Sequence, residues 1–561
     1  MAAAHSHEVA ATVRPSAAAI SLRPALGWPA AIGVVTFATT LVVSGRMLVV
    51  DALMDLYSGR LIVAHGLPHV DTLTVAGRGH RWVDQQWLAQ AVLYELSRTI
   101  GWYGPALLCA AAVGLAVAML TAILLDRGLP TGLAVAWPTV GYFVAVQNTS
   151  VRAQTLAYPL FVIVLAVVAA DHRRGRPARS SLLVIPVLML WANVHGSVLL
   201  GAGTVMVAGG LGVARGLRSG SRSAAAAHLG LALAAPLTVF ATPYSPSALV
   251  AYYRSVIGNP VIARVVSEWQ APTPLAGWPF FLLCAAAAVV VALAARRRVS
   301  PPLPLVAVAA GLAVEGMGAV RYDVWFALAA VPVVALGLWR LIGGDRAAAA
   351  RPRTTGGVDR IVWRVGVAAI GCAAVLPLVA PSRTNQLSAV VFGGIVLAAQ
   401  ARSRSAVAGP GWPVAAALAA VTAVCVATTV TTPVAQVYAG SSLPALAVAA
   451  RYAQAHPGVR VMADSSSAPA LLWLHPRMEG RVGYDIRYEI YPQRSLRRFV
   501  RFVAGYRLVG WSRSLRGYSV VVVSRTFAPG LTAAVARLRG WHVIERDPRG
   551  LVAVRDTTPA A

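Results

Sequence analysis

Asp51, Asp55, His65, His69, Asp71, Asp84 and Glu95 crowd into one polar stretch between two long apolar runs. The stretch reads DALMDLYSGRLIVAHGLPHVDTLTVAGRGHRWVDQQWLAQAVLYE over residues 51–95. Carboxylates in such density suit a general base or an oxygen ligand for a divalent cation. Asp51 and Asp55 are four residues apart, so on a helix they share a face. Solvated charges where a helix leaves a membrane would account for them equally well. Gly59, Gly66 and Pro68 mark turns, and the apolar segment after them sets Leu88 and Val92 opposite Gln86 and Gln90. That segment reads as a helix lying in a membrane interface, anchored by Trp82 and Trp87.

A second set of polar residues stands at the ends of other apolar runs. Arg152 and Gln154 open one run, and the turn WANVHG carries Asn193 and His195 out of another. Glu268 and Trp269 close a Pro-rich loop that begins TPYSP, and Glu315, Arg321 and Asp323 flank two further runs. A guanidinium binds phosphate through paired N–H groups, so Arg152 and Arg321 are candidates to hold a phosphate. The plainer readings are a packed interfacial histidine at 195 and a structural ion pair between Glu315 and Arg321.

The elements that must position these residues are membrane helices. The chain has 561 residues, of which 57% are hydrophobic and only 12% charged, with mean hydropathy +0.66. Soluble domains carry about 25% charged residues. Crossing a bilayer takes roughly 20 apolar residues. Runs near 29–50, 103–125, 129–147, 154–170, 181–195, 197–214, 225–243, 276–295, 302–319, 324–342, 362–381, 386–400 and 411–431 give about thirteen spans. Net charge is +29, and every basic residue is arginine. Arg127; Arg173, Arg174, Arg176 and Arg179; Arg215, Arg218 and Arg222; Arg296, Arg297 and Arg298; Arg346, Arg351, Arg353 and Arg360; and Arg402 and Arg404 all fall in loops on one side of this thirteen-span topology. The positive-inside tendency makes that side, with the N-terminus, cytoplasmic. It places residues 51–101 and the C-terminal region outside. This accounts for the basic excess without nucleic acid. Cys109, Cys284, Cys372 and Cys425 lie inside apolar runs with no CxxC spacing, which suggests neither a zinc site nor a disulfide framework.

Three regions follow: a polar, disordered N-terminus over 1–28, a membrane region over 29–431 with its outer loop at 51–101, and a tail over 432–561. In the tail, 459–463, 480–484, 518–523, 541–545 and 551–554 read as strands and 467–474, 493–504 and 530–539 as helices. Alternating strands and helices predict a small extracytoplasmic α/β domain. The chain has neither a phosphate-binding glycine loop nor an internal repeat.

The motifs Asp51…Gly59…Gly66-x-Pro68…Asp71…Trp82…Trp87-Leu88, Arg152-x-Gln154, Leu190-Trp191-Ala192-Asn193-Val194-His195-Gly196, Pro243-Tyr244 with Glu268-Trp269, Arg321, and Asp485-x-Arg487-x-Glu489-x-Tyr491 occur in this order over most of the chain. With this topology the chain resembles the GT-C superfamily of polytopic glycosyltransferases, and within or near it an uncharacterised bacterial group. The resemblance implies a GT-C-like helical membrane fold and a polyprenyl-phosphate sugar donor drawn from the membrane lipid. It implies that Asp51, just after the first span, is the base or a metal ligand. Asp55 stands where close relatives carry histidine, and Gln85-Gln86 where a His-Glu pair is common; both are departures from the pattern.

The reading that follows is an inverting displacement. Asp51, with Asp55 beside it, deprotonates the acceptor hydroxyl, and Arg152, Arg321 and His195 steady the departing phosphate. Gln154, Asn193, Glu268 and Glu315 complete the set facing substrate. A cofactor is left open, with magnesium or manganese as candidates, and so are protein partners. A lipid or glycan transporter or flippase, a non-catalytic envelope scaffold and a polymer ligase remain as alternatives.

Overall fold

The computed structural model describes residues 27–257, 259, 261, 262, 266–299, 301–343, 411–438 and 440–556. The expected spans at 362–381 and 386–400 and most of the N-terminal 1–28 segment lie outside the described residues. The membrane region contains α1 (Gly27–Val43), α2 (Val50–His65), α3 (Trp87–Ile100), α4 (Tyr103–Asp126), α5 (Thr131–Ala145), α6 (Tyr158–Arg174) and α7 (Val184–Val194). It continues with α8 (Val198–Arg218), α9 (Arg222–Leu237), α10 (Pro246–Ile257), α11 (Trp278–Arg296), α12 (Leu303–Gly318), α13 (Asp323–Leu341) and α14 (Gly411–Val430).

Six described helical segments are long and apolar enough to cross a bilayer: Tyr103–Asp126, Ala153–Arg174, Val198–Arg218, Arg222–Phe240, Trp278–Arg296 and Val320–Leu341. Four shorter apolar helices accompany them: Gly27–Val43, Arg179–Val194, Leu303–Gly318 and Ala416–Val430. The protein is a multi-pass membrane protein. Helix α13 is apolar all round, and only Leu338, Arg340 and Leu341 escape burial along it. A helix without a polar face belongs at the centre of a bundle. There Trp325 stacks on Trp191 at 5.6 Å, and Phe161 and Tyr158 meet Trp325 edge-on. Helix α11 is the opposite case, with Leu282, Val289 and Leu293 exposed along an apolar length that hydrocarbon suits better than water.

Helices α6, α8, α11 and α13 share a polarity. Each carries arginine in its last turn and starts near a polar residue of the second sequence set. Cations at helix C-termini complement the helix dipole. The other ends gather 152–157, 195–198, 266–278 and 320–323 at one end of the bundle.

The first apolar run is shorter than expected. Helix α1 stops at Val43, and α2 is a separate helix that begins at Val50. Asp51 and Asp55 therefore sit in the first turns of α2 and not at the exit of the first span. Helix α2 packs on α3 so closely that a Cβ on Gly59 would lie 2.1 Å from the Gln90 carbonyl oxygen.

The tail contains α15 (Leu443–Ala455), β1 (Val461–Ala463), α16 (Ser467–Leu474), α17 (Gln493–Val503), β2 (Val520–Ser524), α18 (Pro529–Ala536), β3 (Trp541–Arg546) and β4 (Gly550–Arg555). The sheet runs β1-β2-β4-β3, with β1 parallel to β2 and the other pairs antiparallel. Helix α15, capped by Ser442 Oγ on the Ala445 N–H, was not expected from the sequence. Its run of alanine with scattered leucine and valine, LPALAVAARYAQA, carries little periodic signal. The expected strand at 480–484 is reduced to bridges at Val482. On one side Val482 meets Val461 of β1, and on the other Thr74 of the first polar loop. The loop thus extends the tail's sheet: Val75 N–H donates to the Val482 carbonyl at 2.8 Å and Ala76 N–H to that of Gly483 at 3.1 Å. One apolar core joins Leu53, Tyr57, Leu73 and Trp82 to Val461, Met462, Val482 and Tyr484.

Candidate active site

Asp55 is buried, and three donors hold it. Its Oδ2 accepts from the Ala153 N–H at 2.9 Å, and its Oδ1 from Gln86 Nε2 at 3.0 Å and Gln90 Nε2 at 3.2 Å. Burial pushes its pKa up to about 8, opposed by the Ala153 hydrogen bond. Buried and held by three donors, this carboxyl is enclosed by its own helices, unlike the half-open Asp51. Asp55 fastens α2 and α3 to the start of the Ala153–Ala157 turn. The sequence set Asp55 beside Asp51 in catalysis; the structure places it in this bracing position one turn deeper. The glutamines at 86 and 90 supply the donors, so the departure from a histidine pattern is internally consistent. Gln85 Nε2 donates to the Ala192 carbonyl at 2.8 Å and ties the loop to α7.

One helical turn back, Asp51 keeps 44% of its side chain exposed and reaches Arg152 Nη1 at 3.2 Å. Protein crowds around it, and that burial raises its pKa, with Arg152 pulling down and Glu268 pushing up. Arg152 itself is buried. Its Nη1 meets both Glu268 oxygens, at 2.6 and 2.8 Å, and its Nη2 donates to Asn148 Oδ1 at 3.1 Å. Its Nε has no partner. Asn148 is fixed in turn, because Tyr158 OH donates to its carbonyl at 2.5 Å. Gln154 Nε2 donates to Tyr158 OH at 3.3 Å, so Gln154 supports the arginine through two intermediaries instead of facing substrate.

Arg321 lies over the Trp269 ring at 4.2 Å, and the charges of Glu268 and Arg152 act on it. It makes no ion pair with Glu315, which is exposed on α12; both the expected pair and a substrate-facing Glu315 are set aside. Two guanidiniums from distant elements therefore flank one glutamate. His195 Nδ1 accepts from the Ser197 N–H at 3.1 Å. Burial, helped by Arg321 and Arg152, holds its pKa well below the usual histidine range. That direction favours the neutral imidazole, and with Nδ1 accepting from the Ser197 N–H, Nε2 is left to carry the proton. Asn193 is spent on structure: its Oδ1 accepts from Trp87 Nε1 at 2.8 Å and its Nδ2 donates to the carbonyls of Met189 and Ala241.

The tail reaches this place through 485–491. Arg487 Nη2 bonds Asp71 Oδ1 at 2.7 Å and Asp485 Oδ2 at 2.5 Å, and its guanidinium lies 4.1 Å over Trp82. Trp82 is buried under that arginine and is not an interface anchor. Asp71 also accepts from the Leu73 N–H and from Thr74. The latch sets the Tyr488–Ile490 turn against α10, and Tyr488 comes within range of the Asp51 charge. Burial raises Asp84 and Glu489 to about 7 each. Asn148, Tyr488, Asp84 and Glu489 were missed as site residues. Asp84 and the 485–491 motif were both visible in the sequence, but 416 residues separate Asp71 from Arg487, and no local signal reports such a contact.

Among the described residues, no three His, Cys, Asp or Glu side chains are grouped to hold a metal ion. The two accessible acids, Asp51 and Glu268, both face Arg152, whose charge competes with any cation there.

The bundle, its polar end and the docked α/β tail define the GT-C fold. ArnT from Cupriavidus metallidurans bound to undecaprenyl phosphate matches with TM-score 0.50 and 14% identity, over 95% of this chain and 98% of that one. Apo ArnT from the same organism gives TM-score 0.48 and 16% identity over 92% and 95%. The oligosaccharyltransferase AglB from Archaeoglobus fulgidus, with an inhibitory peptide and a dolichol-phosphate, gives 0.47 and 13% over 91% and 72%. The fold assignment rests on the first. No family model matches the chain, and neither does any curated sequence.

Proposed function

We propose that this protein is a membrane glycosyltransferase that moves a sugar from a polyprenyl-phosphate donor to a cell-envelope acceptor at the outer face. The observation that carries the reading is Arg152. It is a buried guanidinium held between Asp51 and Glu268 where the helices end, with Arg321 beside the same glutamate. A phosphate that displaced Glu268 would meet two guanidiniums, and bidentate arginine contacts are among the strong ways to hold it. The undecaprenyl phosphate in the matching ArnT structure supports a polyprenyl phosphate as the ligand. The arginine-rich helix ends lie opposite and favour a cytoplasmic assignment for that side.

In the reaction, phosphate is already a good leaving group, and the acceptor hydroxyl is what needs help. Asp51 is the accessible carboxylate next to the phosphate position and takes that proton as the hydroxyl attacks, inverting the anomeric carbon. Arg152 and Arg321 stabilise the charge that builds on phosphate, and neutral His195 donates Nε2–H there. Asp55, Asn148 and Gln154 hold this frame rigid.

The test is transfer by purified protein in lipid, supplied with radiolabelled polyprenyl-phosphate sugars with and without a divalent cation. Asp51→Asn should lower the rate by roughly 10²–10⁴ while thermal unfolding stays near wild type. Undiminished transfer would remove Asp51 from this role.

A further inference from the structure

Two buried atoms where the first loop meets the 485–491 segment, around Trp82, have no partner, and they are of opposite kind. Asp84 is 4% exposed and leaves Oδ2 unbonded; Arg487 is 7% exposed and leaves Nη1 unbonded. Buried polar atoms are almost always bonded, so each needs an explanation. Arg487 has spent the rest of its fork: Nε is on Asp485, Nη2 is on Asp485 and Asp71, and its plane rests on Trp82. Nη1 is what the latch leaves over. Among charges, Arg487 is the one acting most strongly on Asp84, so the orphan donor and the orphan acceptor belong to one neighbourhood.

Glu489 stands in the same neighbourhood, on the turn that the latch presses against α10. Tyr252 of α10 feels Glu489, Asp84 and Arg321 together. Tyr252 thus stands within electrostatic reach of both this group and Arg321. A phosphate does not fit there, because Asp71, Asp84, Asp485 and Glu489 outnumber the single arginine. A hydroxyl does: it donates to a carboxylate and accepts from a guanidinium with the same oxygen. Adjacent hydroxyls on a ring would satisfy Asp84, Arg487 and Glu489 at once.

We propose that Asp84, Glu489 and Arg487 bind ring hydroxyls of the sugar being transferred and select among donor sugars, while Arg152 and Arg321 hold its phosphate. This rests on the glycosyltransferase reading and adds the subsite that distinguishes a glycosylated lipid from a bare one. Arg487 is also structural, so the tests fall on the other two residues.

The experiment titrates full-length protein in nanodiscs with bare undecaprenyl phosphate and with undecaprenyl-phosphate hexose and pentose, following tryptophan fluorescence. Wild type should bind one glycosylated lipid at least about tenfold tighter than the bare lipid. Asp84→Asn and Glu489→Gln should each erase about tenfold of that preference, the size of one hydrogen bond to a charged group. Their affinity for bare undecaprenyl phosphate should stay unchanged. Equal losses for bare and glycosylated lipid would make the pair structural and overturn the inference. So would unchanged preference in both variants, as when a buried water fills the gap, or a wild type that does not prefer glycosylated lipid. A wild type that shows the preference yet transfers no sugar would instead defeat the glycosyltransferase reading.

Discussion

Arg152 is a buried cation whose neutralising partners are both partly open to solvent, and that asymmetry makes it usable. A fully enclosed ion pair would have to be broken to admit a ligand, whereas Glu268 can swing away and leave phosphate in its place. Arg152→Lys keeps the charge but loses the fork. It should weaken undecaprenyl phosphate binding by about tenfold or more, as measured by the same fluorescence titration. Retained affinity would mean that phosphate binds elsewhere. The acids make a separate prediction. Asp55, at about 8, and Asp84 and Glu489, at about 7, all sit above the roughly 4 expected for unfolded carboxyls. A raised folded pKa contributes stability that is full below the unfolded value and lost as pH rises through the folded one. The unfolding temperature in detergent should therefore fall between pH 5 and pH 8. Asp84→Asn should flatten the part below pH 7, and an unfolding temperature that climbs across this window would contradict the assignment.

Helix α2 carries Asp51 in its first turn and packs on α3 one and two turns further along the same face, through Asp55 and Gly59. Gly59 makes that contact possible, since a Cβ there would meet the Gln90 carbonyl at 2.1 Å. Backbone cannot yield as a flexible side chain would. Gly59→Ala should cost about 1–3 kcal/mol of stability and reduce transfer as well, because Gln90 is also a donor to Asp55. Loss of one without the other, by thermal unfolding and transfer assay, would separate the packing from the site. The strand pairing between the first loop and the tail makes a second prediction. Val75→Pro removes the N–H that donates to Val482. It should expose residues 71–82 to limited proteolysis and weaken preference among donors, while leaving the membrane bundle folded. A loop as resistant as wild type would show that the Asp71–Arg487 latch suffices alone.

The whole molecule is a machine with two ends. Arginine-bearing helix termini stand at one, and the Arg152 centre with the docked tail stands at the other. A single cysteine at Arg218 or at the fully exposed Val509, each in a cysteine-free background, should report opposite sides. In intact cells an impermeant maleimide should label the cysteine at 509 and spare that at 218. Labelling of both, or the reverse, would overturn the orientation. The tail is not a free module at this scale, because it shares a core with α2 and the first loop. Its removal should destabilise that loop and not merely relax specificity.

Much of the molecule was readable from residue order because bilayers impose strong local rules. Apolar runs of span length, the strongly basic short loops falling on one side, and Asp51 and Arg152 at run ends follow from hydrocarbon excluding charge and unbonded backbone. The helix at 443–455 went unassigned and the strand at 480–484 was overread, because alanine and short apolar runs carry little local signal. What residue order cannot hold is distance through space. The burial that makes Asp55 a brace, the pairing of Glu268 with Arg152, the neutral state of His195 and the reach from Asp71 to Arg487 exist only once remote segments pack. Hydropathy set which residues leave the membrane. The tertiary fold decided which of them meet, since a charge acquires its role from the partners that surround it.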